Sequence, residues 1–238
     1  VLKAVFFDLF RTLGEFEGKV SDIDVCDLLQ GHGYDVYPQT FHHAFSFVTF
    51  VDNPRIGFTN YPDMFRKAFE RIGIDVDEET LRAVSKLYTN NHFKLYPEAS
   101  QTVKRIKGLG LKTAIVTTPP RFWFESGIKP ILNDVDYICT SSEAGCEKSN
   151  PRIFMKTLQM LGVSATETVV IGDDPELDIR IPKSLGMMTI HLTTGEAAAE
   201  ADAKANKLSE VVEIMKSWTE TSTRDRKYHD RKRVRKEG

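Results

Sequence analysis

Cysteine is scarce in this sequence. Cys26, Cys139 and Cys146 are scattered through 238 positions, an odd count without framework spacing, which excludes a disulfide-stapled scaffold. Cys146 has no evident histidine partner, so it reads as a small side chain rather than a nucleophile. Long hydrophobic runs are missing as well. None approaches the roughly 20 residues that span a bilayer. The apolar start is too short for a signal h-region and has no cleavage site after it. The expectation is a cytoplasmic protein with no membrane partner. Charge of one sign is absent too: the net charge is −2, so the chain as a whole exerts no general pull on nucleic acid or anionic lipid. No internal repeat or low-complexity segment is present.

What remains is globular material, 41% hydrophobic and 28% charged, long enough for a core domain with a smaller insert. Its organising stretch is Ala4-Val5-Phe6-Phe7-Asp8-Leu9-Phe10-Arg11-Thr12-Leu13. A short apolar run of β-formers leads straight into a carboxylate, the pattern of a buried parallel strand. Ligands of open α/β sheets bind beyond the carboxyl ends of the strands, where Asp8 would lie. Taken alone, Asp8 reads equally well as a cap for the next element.

Gly14-Glu15-Phe16-Glu17-Gly18 reads as a turn carrying two carboxylates. Helical spacing follows from Ser21 to Gly31-His32-Gly33, then over Gln39–Val51, Tyr61–Ile72 and Glu78–Leu95, with Asp77 as an N-cap. Residues 15–95 therefore read as an all-helical insert whose many phenylalanines pack a small bundle. Asp52–Gly57 reads as irregular. Arg55 within it is a candidate for a substrate anion, the alternative being a solvated arginine. From residue 96 strands and helices alternate. The strands are Leu111–Thr118, Tyr137–Thr140, Thr168–Gly172 and Met187–Leu192, with helices near 98–109, 120–132, 150–162 and up to Leu185, and a last amphipathic helix through Leu208–Met215. Alternation of this kind implies a parallel, right-handed α/β sheet. From Thr219 the chain turns basic, and reads as a solvated extension rather than a nucleic-acid or acidic-partner site.

The chemistry-bearing residues fall at strand ends. Asp8 and the pair Asp173 and Asp174 would be brought together by neighbouring parallel strands. Clustered carboxylates repel unless a cation sits among them, and hard oxygen ligands suit Mg²⁺. Thr117 ends another strand and offers a hydroxyl beside backbone amides. Lys148, just before the Asn150-Pro151 helix start, could neutralise an anionic substrate and Asp8.

This assembly resembles the haloacid dehalogenase-like hydrolase superfamily. Four motifs carry the resemblance in order: Asp8-Leu9-Phe10-Arg11-Thr12-Leu13, Val116-Thr117-Thr118, Glu147-Lys148-Ser149-Asn150-Pro151 and Ile171-Gly172-Asp173-Asp174-Pro175-Glu176-Leu177-Asp178. The resemblance implies a Rossmann-like parallel α/β core (residues 1–14 and 96–218) with an inserted all-helical cap (15–95) and a basic tail (219–238). It implies Asp8 as nucleophile, Thr117 and Lys148 as partners of the transferring group, and Mg²⁺ held by Asp8, the Phe10 carbonyl and Asp173, with Asp174 the alternative. Thr12 would brace the loop, Thr118, Arg11 and Arg55 would contact substrate, and Asp178 would orient Lys148.

Phe10 departs from the family's phosphatases, which carry an aspartate there as general acid and base. Arg11 departs too, standing where glycine is usual. Glu15 or Glu17 could replace the acid, or the leaving group could be a weak base such as a phenol or acyl phosphate. The leading expectation is a Mg²⁺-dependent phosphatase of a small phosphorylated metabolite, working through an aspartyl-phosphate. The alternatives are a metal-independent 2-haloacid dehalogenase, with Arg11 or Arg55 on the substrate carboxylate, and a non-catalytic binding protein on the same fold.

Overall fold

The computed structural model describes residues 1–18 and 20–220. The basic tail beyond 220 lies outside the described residues. The chain opens with β1 (Ala4–Phe7), fully buried along its length, and β2 (Gly14–Phe16). Five helical pieces follow: α1 (Asp22–Gly31), α2 (Pro38–Phe47), α3 (Asn53–Ile56), α4 (Tyr61–Arg71) and α5 (Glu78–Thr89). After β3 (Phe93–Leu95) come α6 (Ala99–Lys107), β4 (Lys112–Thr117), β5 (Tyr137–Thr140), α7 (Ser141–Ala144), α8 (Arg152–Leu161), β6 (Thr168–Gly172), α9 (Ile181–Ser184), β7 (Met188–Leu192) and β8 (Ala203–Ala205). A last helix, α10, occupies 208–220.

Six strands form one parallel sheet in the order β5-β4-β1-β6-β7-β8. Apolar side chains cover both faces. Val5, Phe7, Ile115 and Ile171 pack towards α6 and α10, while Phe6, Val116 and Val170 pack towards α8 and α9. Burial on both faces explains why β1, β4 and β6 read as continuous apolar runs. The fold is thus the expected Rossmann-like α/β core. A separate aromatic core, with Phe41, Phe65 and Phe69 at its centre, holds α1, α2, α4 and α5 together.

Local chemistry sets the helix starts. Ser21 forms a capping box with Asp24, and the Asp77 carboxylate accepts from the Thr80 amide at 2.7 Å, satisfying donors that a helix start leaves open.

The structure corrects several local expectations. The ends of the stretch read as all-helical are strands: β2 and β3 pair antiparallel, Glu15 opposite Lys94 and Phe16 opposite Phe93. Three residues per strand are too few to show a period of two. Gly14 is required there, since a Cβ would lie 2.3 Å from the Lys94 carbonyl oxygen. Asp52–Gly57 is not irregular: a π-helical turn (Val48–Asp52) runs into α3, with Pro54 tolerated in the first turn. The segment read as a helix to Leu132 is instead two 3₁₀ pieces, Arg121–Trp123 and Lys129–Asp134. The helix read up to Leu185 is a π-helical turn, Pro175–Arg180, followed by the single turn of α9.

Candidate active site

The sheet order places the carboxyl ends of β4, β1 and β6 side by side, with Phe7 opposite Ile115 on one flank and Ile171 on the other. Asp8 therefore leaves the middle of the sheet, its amide donating to the Ile171 carbonyl at 2.9 Å. Thr117 ends β4 and is buried, and Thr118 after it is half-buried.

Lys148 bridges two acids. Its Nζ lies 2.5 Å from Asp8 Oδ1 and 2.6 Å from Asp178 Oδ1, and all three side chains are buried. Burial pushes the Lys148 ammonium towards the neutral form, but Asp178 and Asp8 outweigh it and hold the pKa above the ordinary lysine value. Burial raises the Asp178 pKa, against the opposing pull of Lys148.

Asp173 completes the group: one carboxylate oxygen from each of Asp8, Asp173 and Asp178 lies within 4.8 Å of the others. Burial first, then the charge of Asp8, raise the pKa of Asp173. Asp174 does not join them. Its Oδ1 accepts from the Glu176 and Leu177 amides, both at 2.9 Å, and so caps the turn that carries Asp178. That turn sits directly on β6: a Cβ on Gly172 would lie 2.2 Å from Asp178 Cγ. Gly172→Ala should therefore displace Asp178 and lower stability by about 1–3 kcal/mol, read as a fall in midpoint during urea unfolding. An unchanged midpoint would show that Asp178 moves aside freely.

The loop after Asp8 is tight. Arg11 N–H donates to the Gly14 carbonyl at 2.8 Å, and Gly14 N–H donates to the Leu9 carbonyl at 3.1 Å, closing the loop around Phe10. Arg11 adopts φ 61°, a left-handed conformation that glycine takes without strain. Its guanidinium pairs with Asp173, Nε lying 3.0 Å from Oδ2, while most of the side chain stays exposed. Thr12 is fully buried, and its hydroxyl has no hydrogen-bond partner among the described residues.

Phe10 turns away into rings, with centroids 5.1 Å from Phe16 and 4.9 Å from Phe93. Glu15 and Phe10 line the same cleft. Glu17 is exposed and paired with Lys94, whose hydrogen bond lowers its pKa, so it is poorly suited to deliver a proton. Arg55 lines a different groove, with Cys146, Ser149 and Arg152.

His191 was not singled out from the sequence. Its Nδ1 accepts from the Ala198 amide at 2.9 Å, so the proton sits on Nε2, which donates to the Asp173 carbonyl at 3.0 Å. The signal was its place on β7, opposite Gly172 in the parallel register.

Residues 2–186 match the haloacid dehalogenase-like hydrolase family. A glyceraldehyde 3-phosphate phosphatase of Methanopyrus kandleri is 31% identical over 146 residues, 58% of this chain and 61% of that protein. One from Pyrococcus abyssi is 25% identical over 202 residues, 82% of this chain and 83% of that protein. The chain thus spans about three-fifths of the length of the Methanopyrus relative. Among solved structures, a HAD phosphatase from Thermococcus onnurineus aligns with TM-score 0.62 and 23% identity, over 90% of this chain and 98% of that one. A 2-haloacid dehalogenase from Pseudomonas syringae pv. Tomato aligns with TM-score 0.67 and 19% identity, over 92% and 100%. These two carry different activities on one architecture, so at such identities the likeness speaks for the fold. With the family match running from β1 through β6 and through all four motifs, the chain is a member of the haloacid dehalogenase-like hydrolases.

Proposed function

We propose that the chain is a divalent-metal-dependent phosphatase acting on a small phosphorylated metabolite, with Asp8 as nucleophile. The observation that carries this reading is the carboxylate cluster. Three acids converge, and their protein counter-charges are the buried Lys148 and the largely exposed Arg11. Asp173 is left partly uncompensated, as its raised pKa indicates. A donor set of hard carboxylate oxygens fits Mg²⁺. Asp8, Asp173 and the Phe10 carbonyl would hold the ion. When bound, it would offset charge on the phosphoryl oxygens.

The chain's own residues supply the rest. An Asp8 oxygen attacks phosphorus, the bond to the leaving oxygen breaks, and the resulting aspartyl-phosphate is hydrolysed by water to phosphate and free Asp8. Lys148, kept charged by its two acids, steadies Asp8 and the incoming anion. Thr117 and Thr118 offer donors to the phosphoryl oxygens. Asp178 holds Lys148, and Thr12 braces the loop. The helices between β2 and β3 form the cap over the site, and Arg55 meets substrate only where that cap bears on α7. Cytoplasmic residence belongs to the same proposal, supported by scarce cysteine and by the lack, among the described residues, of any helix long and apolar enough to cross a membrane. The relatives named as glyceraldehyde 3-phosphate phosphatases support a small substrate.

Phe10 favours a second reading, 2-haloacid dehalogenation, because halide leaves without a proton. Phosphate and halide release, each with and without chelator, separate the two. The phosphatase reading expects phosphate release abolished by chelator and restored by Mg²⁺. Asp173→Asn should weaken Mg²⁺ binding at least about tenfold in calorimetry, while Asp174→Asn leaves it nearly unchanged. Halide release indifferent to chelator would overturn the reading.

A further inference from the structure

Beside the Asp8 loop lies a cleft of about 480 Å³ whose walls are aromatic: Phe10 and Phe16 on one side, Phe45, Tyr61 and Tyr88 on the other, with Trp123 between them. Its size is that of a small-molecule site. Among the described residues lining it, Glu15 is the one that carries charge. The Glu15 carboxylate faces the Tyr96 hydroxyl, whose pKa is raised by burial and then by Glu15. Burial likewise holds the Tyr61 and Tyr88 hydroxyls well above their ordinary pKa, so both stay neutral.

Trp123 is the hub of this wall. Its ring stacks near-parallel with Phe45 (centroids 6.1 Å apart, 19° between planes) and with Tyr61 (5.9 Å, 22°). Its Nε1–H is buried and has no hydrogen-bond partner among the described residues. An indole N–H can only donate, and a buried donor left unpaired is costly. The cleft therefore presents aromatic stacking surface centred on Trp123.

Phe10 belongs both to the loop after Asp8 and to the wall of the cleft. It stands two residues after Asp8, and its apolar ring offers no proton to a leaving oxygen. From this we infer that the cleft receives the leaving group of an aryl phosphate, a planar ring that stacks against Trp123 and its neighbours. The inference rests on the phosphatase reading and narrows its substrate class. Attack by Asp8 forms the oxygen–phosphorus bond and breaks the bond from phosphorus to the aryl oxygen. That oxygen keeps the electron pair, leaves as a phenolate and takes its proton from water. A phenol, with a pKa of about 10, departs in this way far more readily than an alkoxide, whose basicity approaches that of hydroxide, with a conjugate pKa of about 16.

The test uses the full chain carrying Asp8→Asn, which binds ester without consuming it, and compares 4-nitrophenyl, phenyl and n-butyl phosphate by calorimetry. Both aryl esters should bind at least about tenfold more tightly than the butyl ester. Adding Trp123→Leu should remove most of the aryl advantage over butyl, because the ring at the centre of the stacking wall is lost, and an aryl advantage left intact would overturn the inference. Equal affinity for aryl and butyl esters would overturn the inference, and the ester comparison needs no tryptophan variant. Phosphate release by the unsubstituted chain is measured alongside. Aryl preference in binding without any release would sink the phosphatase reading and keep the cleft. Equal kcat/KM on aryl and butyl esters would do the reverse.

Discussion

Asp8→Asn is expected to slow phosphate release by at least about 10³-fold, the scale on which loss of a nucleophile shows. The substitution is nearly isosteric. The amide oxygen can still accept from Lys148, and the Asp8 backbone bond to Ile171 is untouched. What disappears is the anionic oxygen that would form the bond to phosphorus. A second readout isolates that step: denaturant-quenched protein should carry covalently bound phosphate in the unsubstituted chain and none in the variant. Melting temperature should change little, because Lys148 keeps Asp178 and only one anionic contact is lost. Turnover within about tenfold of the parent would remove Asp8 from the role.

The second large effect concerns Lys148→Met. Methionine fills much of the same volume but leaves Asp8 and Asp178 facing one another without a cation, at a site where Lys148 is 3% exposed and Asp178 fully buried. Breaking a buried ion pair by removing one partner costs about 3–5 kcal/mol. For a chain of this size that corresponds to a fall of roughly 6–20 °C in melting temperature. The pH dependence has a definite sign. In the parent, the raised pKa of Lys148 makes its contribution complete below the unfolded lysine value and lost only as pH rises through the higher folded value. In the variant, Asp178 loses the counter-charge that opposes its burial, so its folded pKa rises further. The deficit should therefore shrink as pH falls from about 7 to about 5 and protonation relieves the repulsion. Lys148→Met combined with Asp178→Asn should recover part of the loss. A single variant melting within about 2 °C of the parent would show that the pair is not the buried network described.

Much of this architecture was readable because the central strands are buried on both faces. Ala4-Val5-Phe6-Phe7 and Thr168-Val169-Val170-Ile171 announce themselves, whereas Ala203-Lys204-Ala205, an edge strand of three residues, has no apolar run to reveal it. The 3₁₀ pieces at 121–134 carry helical spacing without helical length, and tertiary packing of Phe124, Ile128 and Ile131 decides their form. In the site, chain order brought out Asp8, Lys148 and Asp173. It did not separate Asp173 from Asp174, because two adjacent acids differ only in which one the following turn recruits as a cap. Nor could it show Arg11 turned onto Asp173 or Trp123 with an unpaired donor. Both depend on residues far apart in sequence meeting across the loop and the cleft.

The position of β1 has a consequence for how the chain reaches this structure. Ala4 lies opposite Lys112 on one side and Thr168 on the other, so β1 gains both partners only after residues up to about 171 have been made. Long loop closures of this kind slow folding, and they leave Val5-Phe6-Phe7 as an exposed sticky segment while most of the chain is still emerging. The helices from 22 to 89 depend mainly on contacts among themselves and can form meanwhile. Destabilised variants of the sheet should accordingly be lost to aggregation during synthesis before any loss of melting temperature accounts for it.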